Sequence, residues 1–183
     1  VVIGNEACDL DSIVSSIATA YYYQTDCTSE SPPVAAVLPI DREEFRLRQD
    51  AVYAFQLAGW DFDATGAPTN LLFKDEITTL HQPRVVLTDH NKFKPEHWTE
   101  FVDPVVDAII DHHLDEKAYP AEANVDIDET VGSACTLIAE KVYSNNEKCD
   151  NQLVPKDLGT LLLATILCDT RNFNVQANRF NDR

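Results

Sequence analysis

The sequence predicts an α/β fold in which a parallel sheet of five strands carries helices on both faces. Two observations indicate this fold. Short strand-like runs alternate along the chain with longer segments of helical periodicity. Most of the runs are almost wholly apolar, which is typical of parallel strands that are buried on both faces. The length of 183 residues suits one compact domain.

The predicted strands are apolar runs that stop at turn-forming or acidic residues. The first run, VVIG, stops at Gly4, and the run RVVLT stops at Asp89. Runs of this length are typical of strands and are too short for most helices. The five predicted strands are residues 1–4, 34–40, 71–73, 84–88 and 105–110.

The predicted helices show apolar residues three or four positions apart. In the first helix Ile13, Ile17 and Ala20 follow this spacing. Gly59 is a typical helix terminator, and Pro155 suits the first turn of a helix. The predicted helices are residues 10–23, 43–59, 131–143 and 155–167, with short helices or turns at 74–80 and 95–101.

The chain is strongly acidic, with a formal net charge of −17 from 31 acidic and 14 basic residues. A surface that binds duplex nucleic acid has to neutralise phosphates, so we expect no duplex as a partner. We also expect no membrane span, because no apolar run reaches membrane length. The acids either solvate the surface or hold cations that in turn handle an anionic substrate.

The cysteines and the first residue bear on the origin of the chain. Five cysteines are present, an odd number, and no Cys-x-x-Cys occurs. We therefore expect mostly free thiols, no disulfide framework, and a reducing compartment such as the cytoplasm. The chain starts at Val1 inside a predicted strand and contains no methionine, so we expect a fragment of a longer protein.

Acids, amides and imidazoles follow the predicted strands and close the last helix. Ligands of parallel α/β sheets bind outside the carboxyl ends of the strands, so these side chains should meet at one edge. Carboxylates with one or two imidazoles suit Mn²⁺ or Mg²⁺ better than a thiolate-binding metal. The residues are Asn5, Glu6, Asp9, Asp11, Asp89, His90, Asn91, Asp111, His112, His113 and Asp169.

Each of these residues also has a simpler interpretation. Asp9 and Asp11 can cap the helix that follows, which is the better interpretation of an isolated Asp-x-Asp. Asp89 can be a turn residue. The amides at Gly132-Ser133 can meet a phosphate, but a plain serine cap is favoured. Asp169 is harder to dismiss, because a buried unpaired carboxylate is costly.

The motifs in combination resemble those of the DHH phosphoesterase superfamily. Its members include manganese-dependent family II pyrophosphatases, fungal-type exopolyphosphatases and the animal prune proteins. Asp111-His112-His113 resembles the signature triplet, and GNEACDLDS (4–12) resembles the first motif of the exopolyphosphatase and prune branch. In this motif Asn5 replaces the histidine found in much of the superfamily, while His113 is more typical of exopolyphosphatases than of prune proteins. The resemblance implies a Rossmann-like DHH catalytic domain over residues 1–183, without the second, substrate-gripping domain of the family.

The resemblance also implies a role for each site residue. It implies two divalent cations, Mn²⁺ or Mg²⁺, with Asp89 between them. His113 would face the substrate phosphate, while Asn5 would be a poor ligand that makes one metal position weaker. His90 and Asn91 would orient Asp89. The implied metal ligands are Asp9, Asp11, Asp89, His112 and Asp169, and the implied catalytic residues are His113, Asp89 and Asn5.

The function that the resemblance implies is a metal-dependent phosphohydrolase, foremost an exopolyphosphatase that releases terminal phosphate from inorganic polyphosphate. A pyrophosphatase or a nucleotide phosphodiesterase on the same scaffold is an alternative. A prune-like regulatory protein that mainly binds partners is the third. The partner expected under the enzyme hypotheses is a small phosphoanhydride or phosphoester.

Overall fold

The computed structural model describes residues 1–27, 33–149 and 154–177. Its main sheet consists of six parallel strands. The strands are β1 (Val2–Ile3), β2 (Ala36–Leu38), β3 (Leu72–Phe73), β4 (Leu80–His81), β5 (Arg84–Thr88), β6 (Phe101–Val102), β7 (Val105–Asp111) and β8 (Asn124–Ile127). The sheet order is therefore β3-β2-β1-β5-β7-β8, and β4 pairs with β6 in a separate two-stranded sheet.

The α/β class is confirmed, but the sheet has one strand more than predicted. The additional strand, β8, pairs with β7 at the edge of the sheet, with Ile109 opposite Val125. Only two of its four residues are apolar, and they alternate with Asn124 and Asp126. This short half-polar segment lacks the apolar run by which the other strands were predicted, because an edge strand is not enclosed on both sides.

In the described ranges, four α-helices cover one face of the sheet. They contribute to one apolar cluster that also includes Leu38 and Ile110 from the strands. The second predicted helix begins as a 3-10 helix at Arg42–Leu47 and continues as an α-helix that ends at Gly59 in the left-handed conformation, with φ 85°. The helices are α1 (Leu10–Thr25), α2 (Gln49–Ala58), α3 (Ala134–Lys148) and α4 (Lys156–Asp169).

The other face of the sheet is covered differently from the prediction. Among the described residues, its cluster contains Ile3, Leu87 and Ile109 from the strands, together with Trp98 and Phe101, and no residue of α1–α4. Between β5 and β7, where every residue is described, the chain forms a 3-10 helix at Pro95–His97 and the short strand β6, and it forms no α-helix there. The 3-10 helix begins with a proline and is one turn long, and β6, which follows it, pairs with β4.

The neighbouring parallel strands β1 and β5 mark the point at which the order of strand addition reverses. From β1 the chain proceeds outward through β2 and β3, and it then returns to add β5, β7 and β8 on the other side. The loops after β1 and β5 diverge at such a switch point and leave a crevice at the carboxyl edge of the sheet. The fold therefore brings the segments after β1, β5 and β7 to one place.

The cysteines differ from the prediction. Cys27 and Cys149 form a disulfide that joins the carboxyl ends of α1 and α3, with their Cα atoms 5.9 Å apart. Cys8, Cys135 and Cys168 are free, as predicted for most of the five. One disulfide is thus present where no disulfide framework was expected, and the cysteine count no longer supports a reducing compartment. In the described part of the chain, none of the helices has the length and apolarity needed to cross a bilayer.

Candidate metal centre at the carboxyl edge of the sheet

The loop between β1 and α1 is held in one conformation by packing and hydrogen bonds. Gly4 lies against Ser12, and a β-carbon at this position would come within 2.7 Å of the Ser12 carbonyl oxygen. The Asn5 side-chain oxygen accepts hydrogen bonds from the backbone amides of Ala7 and Cys8, at 2.9 and 3.2 Å. The Arg48 guanidinium donates to the carbonyl oxygens of Cys8 and Ala7, at 2.7 and 3.1 Å. The loop is thus fixed from both ends.

Asp89 lies at the end of β5 and is almost fully buried, with 2% of its surface exposed. Its backbone adopts a left-handed conformation, with φ 61°, which is uncommon for a residue other than glycine. The Asn5 amide nitrogen donates to the Asp89 carboxylate oxygen Oδ2 at 2.6 Å. Asn5 therefore turns its amide group toward Asp89 and uses its oxygen within its own loop. In this arrangement Asn5 orients Asp89.

The carboxylate of Asp111 organises the segment that follows β7. It accepts from the backbone amides of His112 and His113, at 2.8 and 3.2 Å, and lies 2.8 Å from Nδ1 of the His113 ring. Asn91 donates to its other oxygen at 2.6 Å. The prediction that Asn91 orients Asp89 is therefore wrong, because its amide group contacts Asp111 instead. Asp111 is fully buried and fixes the ring of His113.

His112 points its Nε2 atom at two carboxylates. Its Nδ1 atom lies 3.2 Å from the carbonyl oxygen of Val131, which fixes the ring orientation. Nε2 is 3.3 Å from Asp89 Oδ1 and 3.5 Å from Asp11 Oδ2. His112 thereby links the segments that follow β1, β5 and β7.

The N-terminus of α3 binds the carboxylate of Asp11. The Ser133 hydroxyl and the Cys135 amide donate to Oδ1, at 2.8 and 3.0 Å, and the Ala134 amide donates to Oδ2 at 2.7 Å. Free amides at a helix start favour an anion, and here the anion is a side chain of the protein itself. The phosphate role considered for these amides is therefore not what this structure shows, and Ser133 does not cap its own helix through its side chain.

Asp9 and Asp169 stand at the border of this cluster. The Asp9 carboxylate accepts from the Ser12 amide at 3.0 Å, so Asp9 caps α1 and is exposed to solvent. Asp169 closes α4, and its Oδ2 atom is buried without a hydrogen-bond partner. A buried carboxylate oxygen without a partner is costly, and a bound cation would remove this cost.

Crowding of the acids raises the pKa of two of them. Burial, together with the charges of Asp11 and Asp9, raises the pKa of Asp89 to about 7, although the hydrogen bond with His112 opposes the rise. Burial and the charge of Asp11 raise the pKa of Asp169 to about 7. Burial alone would lower the pKa of His112, but the carboxylates of Asp89 and Asp11 outweigh it and raise this pKa to about 9. The carboxylates around His112 thus carry more negative charge than this single imidazole can balance.

Three of these residues present ligand atoms close enough to share one ion. One atom each of Asp89, His112 and His113 lies within 4.8 Å of the others. The predicted ligands Asp9, Asp11 and Asp169 are not part of this tight group, but Asp11 adjoins it through His112. Carboxylate oxygens and imidazole nitrogens suit a hard or borderline divalent cation.

An open cleft of about 430 Å³ lies beside this group. Its walls include Asn5, Asp89 and His113, together with the charged residues Glu6 and Lys94. The His113 side chain is 55% exposed, whereas that of His112 is 15% exposed. A substrate in the cleft would therefore meet His113 and not the ring of His112.

For two residues of this site, the role in the structure differs from the one predicted from the sequence. Asp111 was treated as part of a motif without a role of its own, although it fixes His113 and Asn91. Ser133 was interpreted as a helix cap, although its hydroxyl binds Asp11. Its position at the start of a helix was visible in the sequence, but its partner is 122 residues away. The other two histidines that follow no site strand, His81 and His97, are both exposed.

Comparison with protein-family models matches residues 1–166 to the model "DHH family, N-terminal domain". The chain belongs to the DHH family. The match covers every segment that contributes to the cluster except Asp169, which lies three residues beyond it. The family resemblance read from GNEACDLDS and from the Asp-His-His triplet is confirmed.

Curated relatives and solved structures agree with this assignment. The chain is 35% identical over 178 residues to rat (Rattus norvegicus) "Exopolyphosphatase PRUNE1", covering 93% of this chain and 37% of that protein. It is 29% identical to a Streptococcus equi subsp. zooepidemicus protein assigned as a manganese-dependent inorganic pyrophosphatase, covering 92% of this chain and 47% of that protein.

A crystal structure of a Methanococcus jannaschii protein assigned to the family II inorganic pyrophosphatases has a similar fold. The TM-score is 0.60 at 26% sequence identity, and the match covers 94% of this chain and 49% of the other. The chain thus spans between about a third and a half of the length of these three DHH proteins.

Proposed function

We propose that this chain carries the catalytic metal site of a metal-dependent phosphohydrolase of the exopolyphosphatase type, which releases terminal phosphate from inorganic polyphosphate. The observation that carries the proposal is the convergence of Asp89, His112 and His113 beside an open cleft. The relatives named for exopolyphosphatase and pyrophosphatase activities support the same reaction class, hydrolysis of a phosphoanhydride.

The residues at this edge fit two divalent cations, Mn²⁺ or Mg²⁺. The Oδ2 oxygen of Asp169 has no hydrogen-bond partner, and burial beside other carboxylates raises the pKa of Asp89, so bound cations would stabilise both groups. Asp89, Asp11, His112 and Asp169 would hold one ion, and Asp9 together with Asp89 would hold the other. The position near Asp9 is the weaker one, because Asn5 turns its amide group to Asp89 and offers no oxygen there.

Bound divalent ions of this kind lower the pKa of water and offset the negative charge of a phosphoryl group. The protein side chains have separate tasks around them. Asp111 holds His113 and, by its hydrogen bond, raises the pKa of that ring, so His113 can donate a hydrogen bond to a phosphate oxygen in the cleft. Asn5 donates to both the carbonyl oxygen and the carboxylate of Asp89 and so holds that carboxylate in place.

A manganese-edge anomalous scattering measurement on crystals grown with MnCl₂ tests the site directly. Two peaks beside Asp89 are expected, and a single peak would support only the position formed with His112. Absence of any peak near Asp89 would contradict the metal site, while peaks at surface acids alone would show adventitious binding.

The substrate is tested by phosphate release from long polyphosphate, pyrophosphate and a cyclic nucleotide, using the longest available form of the protein. We expect long polyphosphate to be turned over fastest. Faster turnover of pyrophosphate would favour the second candidate, which the similarity to family II pyrophosphatases supports. Absence of hydrolysis together with partner binding that survives Asp89→Ala would favour a regulatory role.

A further inference from the structure

The cleft beside the metal group has a charged rim. Glu6, from the loop after β1, and Lys94, from the segment after β5, both line it. Among the described residues that line this cleft, Lys94 is the only lysine or arginine. In a chain with a formal net charge of −17, a lysine at this position attracts an anion that enters the cleft.

Lys94 is held at the rim by an ion pair within the chain. Its Nζ atom donates to the Glu6 carboxylate oxygen Oε1. The side chains of Lys94 and Glu6 are 37% and 42% exposed, so the pair is open to solvent. Ion pairs of this exposure contribute little to stability, and an incoming anion can replace the carboxylate at low cost.

A second lysine of the same segment provides a comparison. Lys92 pairs with Glu116 at 3.3 Å, and both side chains are about half exposed. Glu116 lines the cleft, but Lys92 does not. The two lysines thus have the same charge, neighbouring positions and similar partners, and they differ in whether the side chain faces the cleft.

We propose that Lys94 binds a second phosphoryl group of the substrate, next to the one that lies at the metal group, and that Glu6 occupies Lys94 until the substrate replaces it. This inference rests on the proposed function. Lys94 would then select anhydrides with two or more phosphoryl groups over a single phosphate. Glu6 acts as a competitor within the protein, because its carboxylate and the substrate require the same ammonium group.

The opposed signs of two substitutions distinguish this role from a structural ion pair. Lys94→Ala should weaken binding of a diphosphate analogue about tenfold, since a charge-assisted hydrogen bond is lost. Glu6→Gln should strengthen binding about two- to threefold, since the competing charge is removed. If the pair served only to hold the loop, both substitutions would change binding in the same direction.

Isothermal titration of the Mn²⁺-loaded protein with methylenediphosphonate and with inorganic phosphate tests this. We expect Lys94→Ala to weaken diphosphonate binding and to leave phosphate binding within about twofold of wild type, with Lys92→Ala as the matched unchanged control. Unchanged diphosphonate binding by Lys94→Ala, weaker binding by Glu6→Gln, or no diphosphonate binding by the wild type would overturn the proposal. The analogue is not hydrolysed, so its binding can be measured even if the protein has no phosphohydrolase activity. A lack of activity would then refute the proposed function, and the binding pattern would still test the role of Lys94.

Discussion

Asp11 illustrates how a distant helix orients one carboxylate of the proposed metal site. Three donors from the start of α3 surround it, and only 5% of its surface is exposed. Its Oδ2 atom still faces Nε2 of His112 at 3.5 Å. Hydrogen bonds behind a ligand fix its orientation, and their loss typically lowers metal affinity.

Substitution Ser133→Ala should reduce Mn²⁺ affinity about tenfold, because the hydroxyl that donates to Asp11 is removed. Isothermal titration with MnCl₂ measures the change. Ser144→Ala is the control, since Ser144 is an exposed serine on the same helix. Equal affinities in the two variants would show that the hydroxyl does not support the ligand.

The stability of the metal-free protein should fall as pH rises. Asp89 and Asp169 have pKa values raised to about 7 in the folded state, so their ionisation destabilises the fold progressively between about pH 4 and pH 7. His112 has a pKa raised to about 9, so its stabilising contribution is complete below about pH 6.5 and is lost as pH rises through 9. All three effects have the same sign.

Thermal unfolding in the presence of a chelator, followed from pH 5 to pH 9, checks this trend. Asp89→Asn should flatten it, because the amide does not ionise and the partner of His112 is neutral. A wild-type Tm that rises with pH over this range would contradict the charge balance described for the site.

Among the structural elements, the connection between β1 and α1 depends on the close contact of Gly4 with Ser12. Gly4→Ala would push a methyl group into Ser12 and should destabilise the protein by about 1–3 kcal/mol. Gly159→Ala is the matched control, because nothing lies within 4 Å of the added carbon in α4. This control should be stabilised by about 0.5–1 kcal/mol. Urea unfolding of both variants measures the difference, and equal shifts would show that the approach of α1 to Gly4 is unimportant.

The disulfide ties together the far ends of the two helices that meet at Asp11. Cys27 and Cys149 are 122 residues apart in sequence. The double substitution to serine should therefore lower the free energy of unfolding by about 2–5 kcal/mol, because the unfolded chain gains conformational entropy. A reductant should lower the Tm of the wild type and leave that of the double variant unchanged. Cys168→Ser, at an exposed free thiol, is the control for substitution alone. A wild-type Tm that does not respond to reductant would contradict the bridge.

At the level of the entire chain, cations can stabilise this acidic protein in two ways, by general screening of its charge and by binding at a specific site. With a net charge of −17, any salt relieves some self-repulsion. A specific site adds a further stabilisation that grows with the ratio of free ion to its Kd, about 2.7 kcal/mol at a hundredfold excess.

MnCl₂ should therefore raise the Tm of the chelator-treated protein more than NaCl at the same ionic strength. Asp89→Asn should lose the additional rise and keep the salt response, because Asp89 belongs to the tight ligand group whereas the surface acids are unchanged. An equal Mn²⁺ effect in wild type and variant would mean that the ion acts on the acidic surface in general.

The amino-acid pattern was sufficient for the α/β class, for most helix and strand positions and for the edge at which the site lies. These properties depend on local spacing: RVVLT matches β5 from Arg84 to Thr88, and the acidic residues directly follow the apolar runs. A parallel sheet then places the carboxyl ends of its strands at one edge whatever the details of the loops. Convergence of Asp89, His112 and His113 was predictable for this reason.

The three-dimensional arrangement was needed for the partner of each polar group. The bond from Ser133 to Asp11, the contact of Asn91 with Asp111 and the bridge from Cys27 to Cys149 join residues that are distant in sequence or can turn to several neighbours. Hydrogen bonds and disulfides tolerate only small deviations from their preferred distances, and those distances are set only when helices and strands pack. The half-polar strand β8 likewise becomes a strand because β7 offers it an open edge.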